Sequence, residues 1–111
     1  MKISFILPIR NEESFIEKTI QSVLSQTSKV SQEFIFVDGM SCDNTTNIIK
    51  NYKKQDSRIS IIDNPECIVS TGFNRGLNKT TGEIIIRVDG HSEITPAFLE
   101  NCLRVLNETQ A

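Results

Sequence analysis

The sequence predicts an α/β fold, a three-layer sandwich around a mainly parallel sheet, and three observations carry that prediction. Short apolar runs alternate with stretches of helical apolar spacing along the whole 111 residues, the pattern of βαβ units rather than of a bundle or a β-sandwich. Three of the four apolar runs end in an aspartate, Asp38, Asp63 and Asp89, and parallel strands bring such ends to the one sheet edge where α/β folds bind ligands. No repeat, low-complexity tract or linker interrupts the alternation, and the length suits one core, so residues 1–111 read as a single domain.

Each element follows from its residues. Ile3 to Leu7 is the first strand, and Pro8, with no N–H to give, is expected to end its pairing. Asn11 is placed to cap the next helix, with Glu12 and Glu13 set favourably against the helix dipole, and Ile16, Ile20, Val23 and Leu24 form one buried face reaching about Gln26. Phe34 to Val37 is the second strand, closed by Asp38. Gly39 permits a tight turn, Ser41 or Asp43 caps, and a helix carrying Ile48, Ile49 and Tyr52 follows. Lys50, Lys53 and Lys54 near its end read as a solvated helix terminus. Ile59 to Ile62 is a third, shorter strand ended by Asp63 and broken by Asn64-Pro65. Ser70 or Thr71 opens a short helix through Phe73 and Leu77 that closes at Thr80-Thr81-Gly82. Ile84-Ile85-Ile86 and Val88 then read as a strand buried on both faces, in the middle of the sheet. Thr95-Pro96 pairs a capping threonine with a first-turn proline, and Leu99, Cys102, Leu103 and Leu106 form the stripe of a last helix in which Cys102 is expected to be buried.

Charge and cysteine usage exclude several classes of function. Twelve basic against fourteen acidic residues leave a net charge of −2, so nucleic-acid binding through phosphate contacts is not expected, and an anionic small molecule must be held by placed groups or by a metal. Cys42, Cys67 and Cys102 make no C-x-x-C pair, which argues against a disulfide framework or a zinc knuckle and for reduced thiols in a cytoplasmic protein. No run approaches membrane-spanning length.

The chemistry gathers at the strand ends. Asp89 and His91, two residues apart with Gly90 between them, suit a divalent cation; equally, Asp89 suits a turn and His91 an exposed loop. A phosphate cannot approach a row of carboxylates without a bridging ion such as Mg²⁺ or Mn²⁺. Asp38 suits hydrogen bonds from a nucleobase or ribose, and Arg75 suits a diphosphate. Gly72, Gly76 and Gly82 make neither G-x-G-x-x-G nor a P-loop, and no G-x-S-x-G elbow is present.

Taken together, Phe5-Ile6-Leu7-Pro8-Ile9-Arg10-Asn11-Glu12-Glu13, Phe36-Val37-Asp38-Gly39-Met40-Ser41-Cys42-Asp43-Asn44-Thr45, Asn74-Arg75-Gly76-Leu77 and Thr81-Gly82-Glu83-Ile84-Ile85 resemble the N-terminal, nucleotide-sugar-binding half of a family 2 glycosyltransferase of the GT-A fold, the nucleotide-diphospho-sugar transferase type. The resemblance implies that Pro8, Asn11 and Glu12 lie along the nucleotide pocket, that Asp38 binds the base or ribose, and that Asn74, Arg75 and Gly76 shape the diphosphate side. Asp89 and His91 match the D-x-D position, which holds a divalent metal, Mn or Mg, on the donor diphosphate. This chain departs from the pattern in three ways. His91 replaces the second acid, which favours the softer Mn²⁺; Asp38-Gly39 stands where many relatives carry paired acids; and the acceptor-binding half has no counterpart, so that a truncated form is expected, with its general base beyond residue 111. Glu93 and Glu100 are the acids left nearby after His91, and Glu93 reads as a loop residue.

The implied function is metal-assisted, inverting transfer of a sugar from a nucleotide diphosphate donor, UDP- or GDP-linked, to the hydroxyl of a sugar or lipid-linked acceptor during cell-surface polysaccharide synthesis. The implied place is the cytoplasm, at the inner face of the membrane, with any membrane contact made through segments outside this sequence. Two other readings stand beside it: a nucleotidyltransferase, and a non-catalytic nucleotide-binding or assembly module that dimerises through an open sheet edge.

Overall fold

A computed structural model describes residues 2–67 and 69–110. Strands and helices alternate as β1 (Lys2–Ile9), α1 (Ile16–Leu24), β2 (Ser31–Asp38), α2 (Thr45–Gln55), β3 (Ile59–Asp63), α3 (Val69–Lys79), β4 (Ile84–Arg87) and α4 (Phe98–Gln110). The four strands form one sheet in the order β3-β2-β1-β4, and every pair is parallel.

Alternation along β1 explains the layers. Ile3, Phe5, Leu7 and Ile9 point to the face covered by α1, α2 and Leu99 of α4, where Ile16, Ile20, Val23 and Ile49 complete the larger core. Ile6 points the other way and joins Ile35, Val37 and Phe73 of α3. The sheet is thus a layer between helices, as the sequence predicts. α3 approaches closely because its sheet-facing positions are small: a Cβ on Gly76 would lie 2.6 Å from Ile6 Cγ2.

Several expectations change on the assembled sheet. β4 is an edge strand among the described residues, not a central one. β1 and β2 take the two central positions, β4 pairs only with β1, and Ile84, Ile85 and Ile86 are half-buried. Pro8 does not end β1, which pairs with β2 through Ile9↔Asp38. The Ile6 carbonyl accepts from Val88 N–H on the β4 side and the Ile9 carbonyl from Gly39 N–H on the β2 side. Even-numbered residues of β1 therefore bond toward β4, and the N–H that Pro8 lacks is one from that ladder. The ladder stops at Ile6↔Arg87.

The helix starts also move. α1 begins at Ile16 and Asn11 does not cap it; Asn11 takes a left-handed φ of 51° and turns its side chain elsewhere. α4 begins two residues past Pro96, after a turn in which Phe98 N–H reaches the Thr95 carbonyl. The N–H of Leu99 is satisfied by Gln26 Oε1 at 2.8 Å, from the residues following α1, rather than by Thr95. Cys102 is exposed, because of the expected stripe only Leu99 is buried, with Leu103 and Leu106 half-buried. α3 begins at Val69; the Ser70 side chain, one of its two expected openers, lies outside the described residues.

A polar latch closes the opposite edge of the sheet. Glu33 Oε2 accepts from the Ser4 hydroxyl, from Thr81 N–H at 2.7 Å and from Thr81 Oγ1 at 3.1 Å, while Ser4 Oγ accepts from Gly82 N–H at 2.9 Å. The turn before β4 is thereby tied to β1 and β2. Gly82 must be glycine here, since a Cβ would lie 2.8 Å from Ser4 N and 2.9 Å from the Lys2 carbonyl oxygen. Backbone atoms cannot swing aside. Gly82→Ala is expected to lower stability by about 1–3 kcal/mol, read as an earlier urea midpoint.

Burial works against the charge on Glu33, but the bonds from Ser4 and Thr81, with the Lys2 ammonium nearby, outweigh it and hold the carboxyl below its ordinary value of 4.5. The folded state therefore releases this proton at lower pH than the unfolded state does. The stabilisation is present above the unfolded pKa and is lost as pH falls through the depressed folded one. Urea titrations from pH 7 to pH 3 are expected to show a shallower loss of stability in Glu33→Gln than in the wild type; identical slopes would remove Glu33 as the source.

Candidate functional site

The loops after all four strands converge at the carboxyl edge, where they enclose an open cleft of about 240 Å³. Pro8, Ile9, Arg10 and Glu12 come from the end of β1 and its loop, Val37 and Gly39 from β2, Asn64 and Cys67 from beyond β3, and Asp89, Gly90 and His91 from beyond β4. Parallel pairing brings the strand ends to this edge, where the register places Ile9 opposite Asp38 and Asp38 opposite Asp63, although neither aspartate lines the cleft.

The Asp89-Gly90-His91 turn is pressed onto β1. A Cβ on Gly90 would lie 2.7 Å from Ile9 Cγ2 and 3.0 Å from Glu12 Cγ, so a residue without one lets the turn close. Thr19 Oγ1 of α1 donates to the Gly90 carbonyl at 3.1 Å, a buried contact. The approach brings His91 Nδ1 to 3.3 Å from Glu12 Oε1, across 79 residues of sequence. Asp89 Oδ1 is 3.1 Å from Arg87 Nη2. Both of the residues expected at the metal position are therefore in the cleft, each with one side-chain partner, His91 exposed and Asp89 about half exposed. Among the described residues no three His, Cys, Asp or Glu side chains are grouped to hold a metal by themselves.

Asp38 is drawn into its own turn. Its Oδ1 accepts from Ser41 N–H at 3.1 Å and Ser41 Oγ at 2.6 Å, and its Oδ2 from Thr46 Oγ1 at 3.1 Å. It is buried at the floor of the edge, and a carboxylate with about four acceptor positions retains capacity for one further donor. Gly39 does not supply a left-handed turn as its type suggested. That conformation falls on Met40, with φ 64°, while a Cβ on Gly39 would stand 3.3 Å from the Ile9 carbonyl oxygen.

The α3 residues separate from the rest. Asn74 is exposed, Arg75 pairs with Glu66 at 3.4 Å and lines a different recess with Asp63 and Lys79, and Gly76 faces the sheet. None of the three lines the cleft. The cation that does is Arg10, whose signal was its place beside Pro8 and Asn11. Asn64 is another addition: it is buried, its N–H donates to the Asp38 carbonyl at 2.7 Å, and its amide meets Thr71. Its position directly after a strand was the available sign. Cys67 takes φ 61°, so among the described residues the loops after β1, β2 and β3 each contain a left-handed non-glycine residue, Asn11, Met40 and Cys67, and such conformations concentrate at functional sites.

Comparison with known proteins bears on the chain as a whole. The family model for glycosyl transferase family 2 matches residues 4–111. Glycosyltransferase GlyA of Streptococcus pneumoniae is 31% identical over 110 residues, which is 99% of this chain and 16% of that protein. Among solved structures, TarS 1-349 of S. aureus in complex with UDP superposes with a TM-score of 0.83 at 26% identity, over 97% of this chain and 32% of that one. The mannosyltransferase PcManGT of Pyrobaculum calidifontis, in complex with GDP-Man and Mn²⁺, has the same fold, with a TM-score of 0.85 at 22% identity over 94% of this chain and 32% of that one. The chain thus spans between about a sixth and a third of the length of these proteins. With a parallel sheet of the GT-A type and a family match across nearly every residue, the chain belongs to glycosyl transferase family 2.

Proposed function

We propose that the cleft at the carboxyl edge binds the nucleotide diphosphate part of an activated sugar, and that the chain serves as the donor-binding part of an enzyme that transfers that sugar to an acceptor hydroxyl. The observation that supports this most directly is the meeting of Asp89, His91, Glu12 and Arg10 from opposite ends of the sequence in one open cleft. Pro8 and Glu12 form its wall, Asn11 sets the wall's turn, and Asp38 takes a donor from the base or ribose. Arg10, rather than Arg75, is placed to meet the diphosphate.

The donor set fits a divalent ion of the Mn²⁺ or Mg²⁺ kind. Asp89 and His91 offer one carboxylate and one imidazole, and ions of this type take one or two protein ligands and complete their shell with substrate phosphate oxygens and water. The Mn²⁺ in the mannosyltransferase complex supports the same choice. When bound, the ion neutralises charge that develops on the leaving diphosphate. The chain's own residues orient the donor: the Asp89-Gly90-His91 turn is held against Ile9 by Thr19, and the Glu12 wall faces it.

Glu93 and Glu100 are exposed and lie outside the cleft lining. In this reading the general base, the sugar or lipid-linked acceptor and the surface-polysaccharide role belong to the part of the relatives that this chain does not span. An inverting outcome and a cytoplasmic place at the inner face of the membrane belong to the same proposal; among the described residues no helix is long and apolar enough to cross a membrane. A homodimer is supported by the half-buried isoleucines of the open β4 edge.

Calorimetric titration of the chain with UDP and with GDP, each with and without Mn²⁺, tests the proposal. Metal-dependent binding of either nucleotide is expected. Absence of binding in all four titrations overturns it, and preference for a nucleoside triphosphate would turn the reading toward a nucleotidyltransferase.

A further inference from the structure

Three consecutive backbone N–H groups after β1 are each accepted by a side chain from the loop after β2 or the first residue of α2. Asn11 N–H reaches Ser41 Oγ at 3.0 Å, Glu12 N–H reaches Thr45 Oγ1 at 2.9 Å, and Glu13 N–H reaches Asp43 Oδ2 at 3.2 Å. Asn11 returns the contact, its Oδ1 accepting from Cys42 N–H at 2.7 Å. The accepting groups are themselves fixed. Ser41 Oγ donates to Asp38, Thr45 Oγ1 donates to Asp43 Oδ1, and Thr45 is fully buried. Glu12 is then held from both sides, because its carbonyl accepts from Phe15 and Ile16 N–H at 2.9 and 2.8 Å where α1 opens.

The geometry points to Ser41, Asp43 and Thr45 as positioning residues for sugar transfer: they fix the backbone of residues 11–13 so that Glu12 faces His91 and the cleft wall is formed before a nucleotide arrives. None of the three lines the cleft, so each acts through the loop it holds. A wall formed in advance removes the ordering cost from the binding step. The Thr45 hydroxyl, with the N–H groups of Thr45 and Glu13, holds the Asp43 carboxyl below the ordinary aspartate range, so it is an acceptor at neutral pH. The inference rests on the donor-binding reading of the cleft.

The test is Thr45→Val, which keeps the buried shape and removes the hydroxyl, with Thr45→Ser as the rescue. Two readouts are taken: affinity for UDP and GDP with Mn²⁺, and hydrogen exchange of the Asn11, Glu12 and Glu13 amides in the free protein. Thr45→Val is expected to weaken nucleotide binding about tenfold and to speed exchange at Glu12, and Thr45→Ser is expected to restore both. Unchanged affinity, or a loss that Thr45→Ser does not rescue, overturns the positioning role. Should Thr45→Val fail to fold, Ser41→Ala makes the same test at Asn11. If the wild-type chain binds neither nucleotide, the donor-binding reading fails on its own; faster Glu12 exchange in Thr45→Val then still supports the hold on the loop, and unchanged exchange overturns it.

Discussion

Phe34→Ala is expected to cost about 3–5 kcal/mol of unfolding free energy. Phe34 lies in β2, one of the two central strands, and is fully buried. It is register partner to Phe5 on β1, and the two rings stack with centroids 5.3 Å apart, an arrangement worth about 0.5–1.5 kcal/mol beyond burial. The Arg58 guanidinium, fixed by its pair with Asp56 at 2.7 Å, stands 5.1 Å over the same ring. Alanine removes both contacts and leaves a cavity that neighbouring strands cannot fill, because their backbones are tied into the sheet. A domain of this size has about 5–15 kcal/mol in total. Urea denaturation followed by circular dichroism measures the loss; a change below about 1 kcal/mol would mean that the larger core is not packed around this pair.

Asp89→Ala is expected to abolish metal-dependent nucleotide binding, weakening it by more than about a hundredfold, since even residues that only support a metal ligand cost about ten- to a hundredfold. The same substitution is expected to leave the fold in place. Asp89 is half exposed and its carboxylate pairs with Arg87 at the surface, and exposed pairs contribute at most about 1 kcal/mol. The combination of lost binding and retained stability separates a ligand from a structural turn residue. Titration of the variant with UDP or GDP and Mn²⁺, beside its urea midpoint, decides between them. Wild-type affinity in Asp89→Ala would sink the metal assignment.

The two predictions concern different layers of the molecule, and those layers were unequally legible. The core around Phe34 was readable because most of its residues belong to local patterns: Phe34 to Val37 alternate across a strand, and Ile16, Ile20 and Val23 repeat along a helix. The site was readable in part. Asp38 and Asp89 could be placed on one edge because parallel strands put their ends together. Asn11 could not be placed, since its type favours a helix cap and only the neighbouring loop, by offering Ser41 Oγ and Cys42 N–H, drew it into a left-handed turn. Gly76 was assigned to the diphosphate side by resemblance and Arg75 by its charge as well, yet one packs on Ile6 and the other pairs with Glu66.

The amino-acid sequence by itself determined the kind and order of the elements, the three-layer α/β class and the acids at the strand ends, because periods of two and of 3.6 residues are properties of a single segment. Only the tertiary structure decided the strand order that leaves β4 at an edge among the described residues, the closeness of Gly90 to Ile9, and the meeting of His91 with Glu12. Those depend on distances between segments remote in sequence, which are fixed when side chains pack and backbones approach, and no local pattern records them.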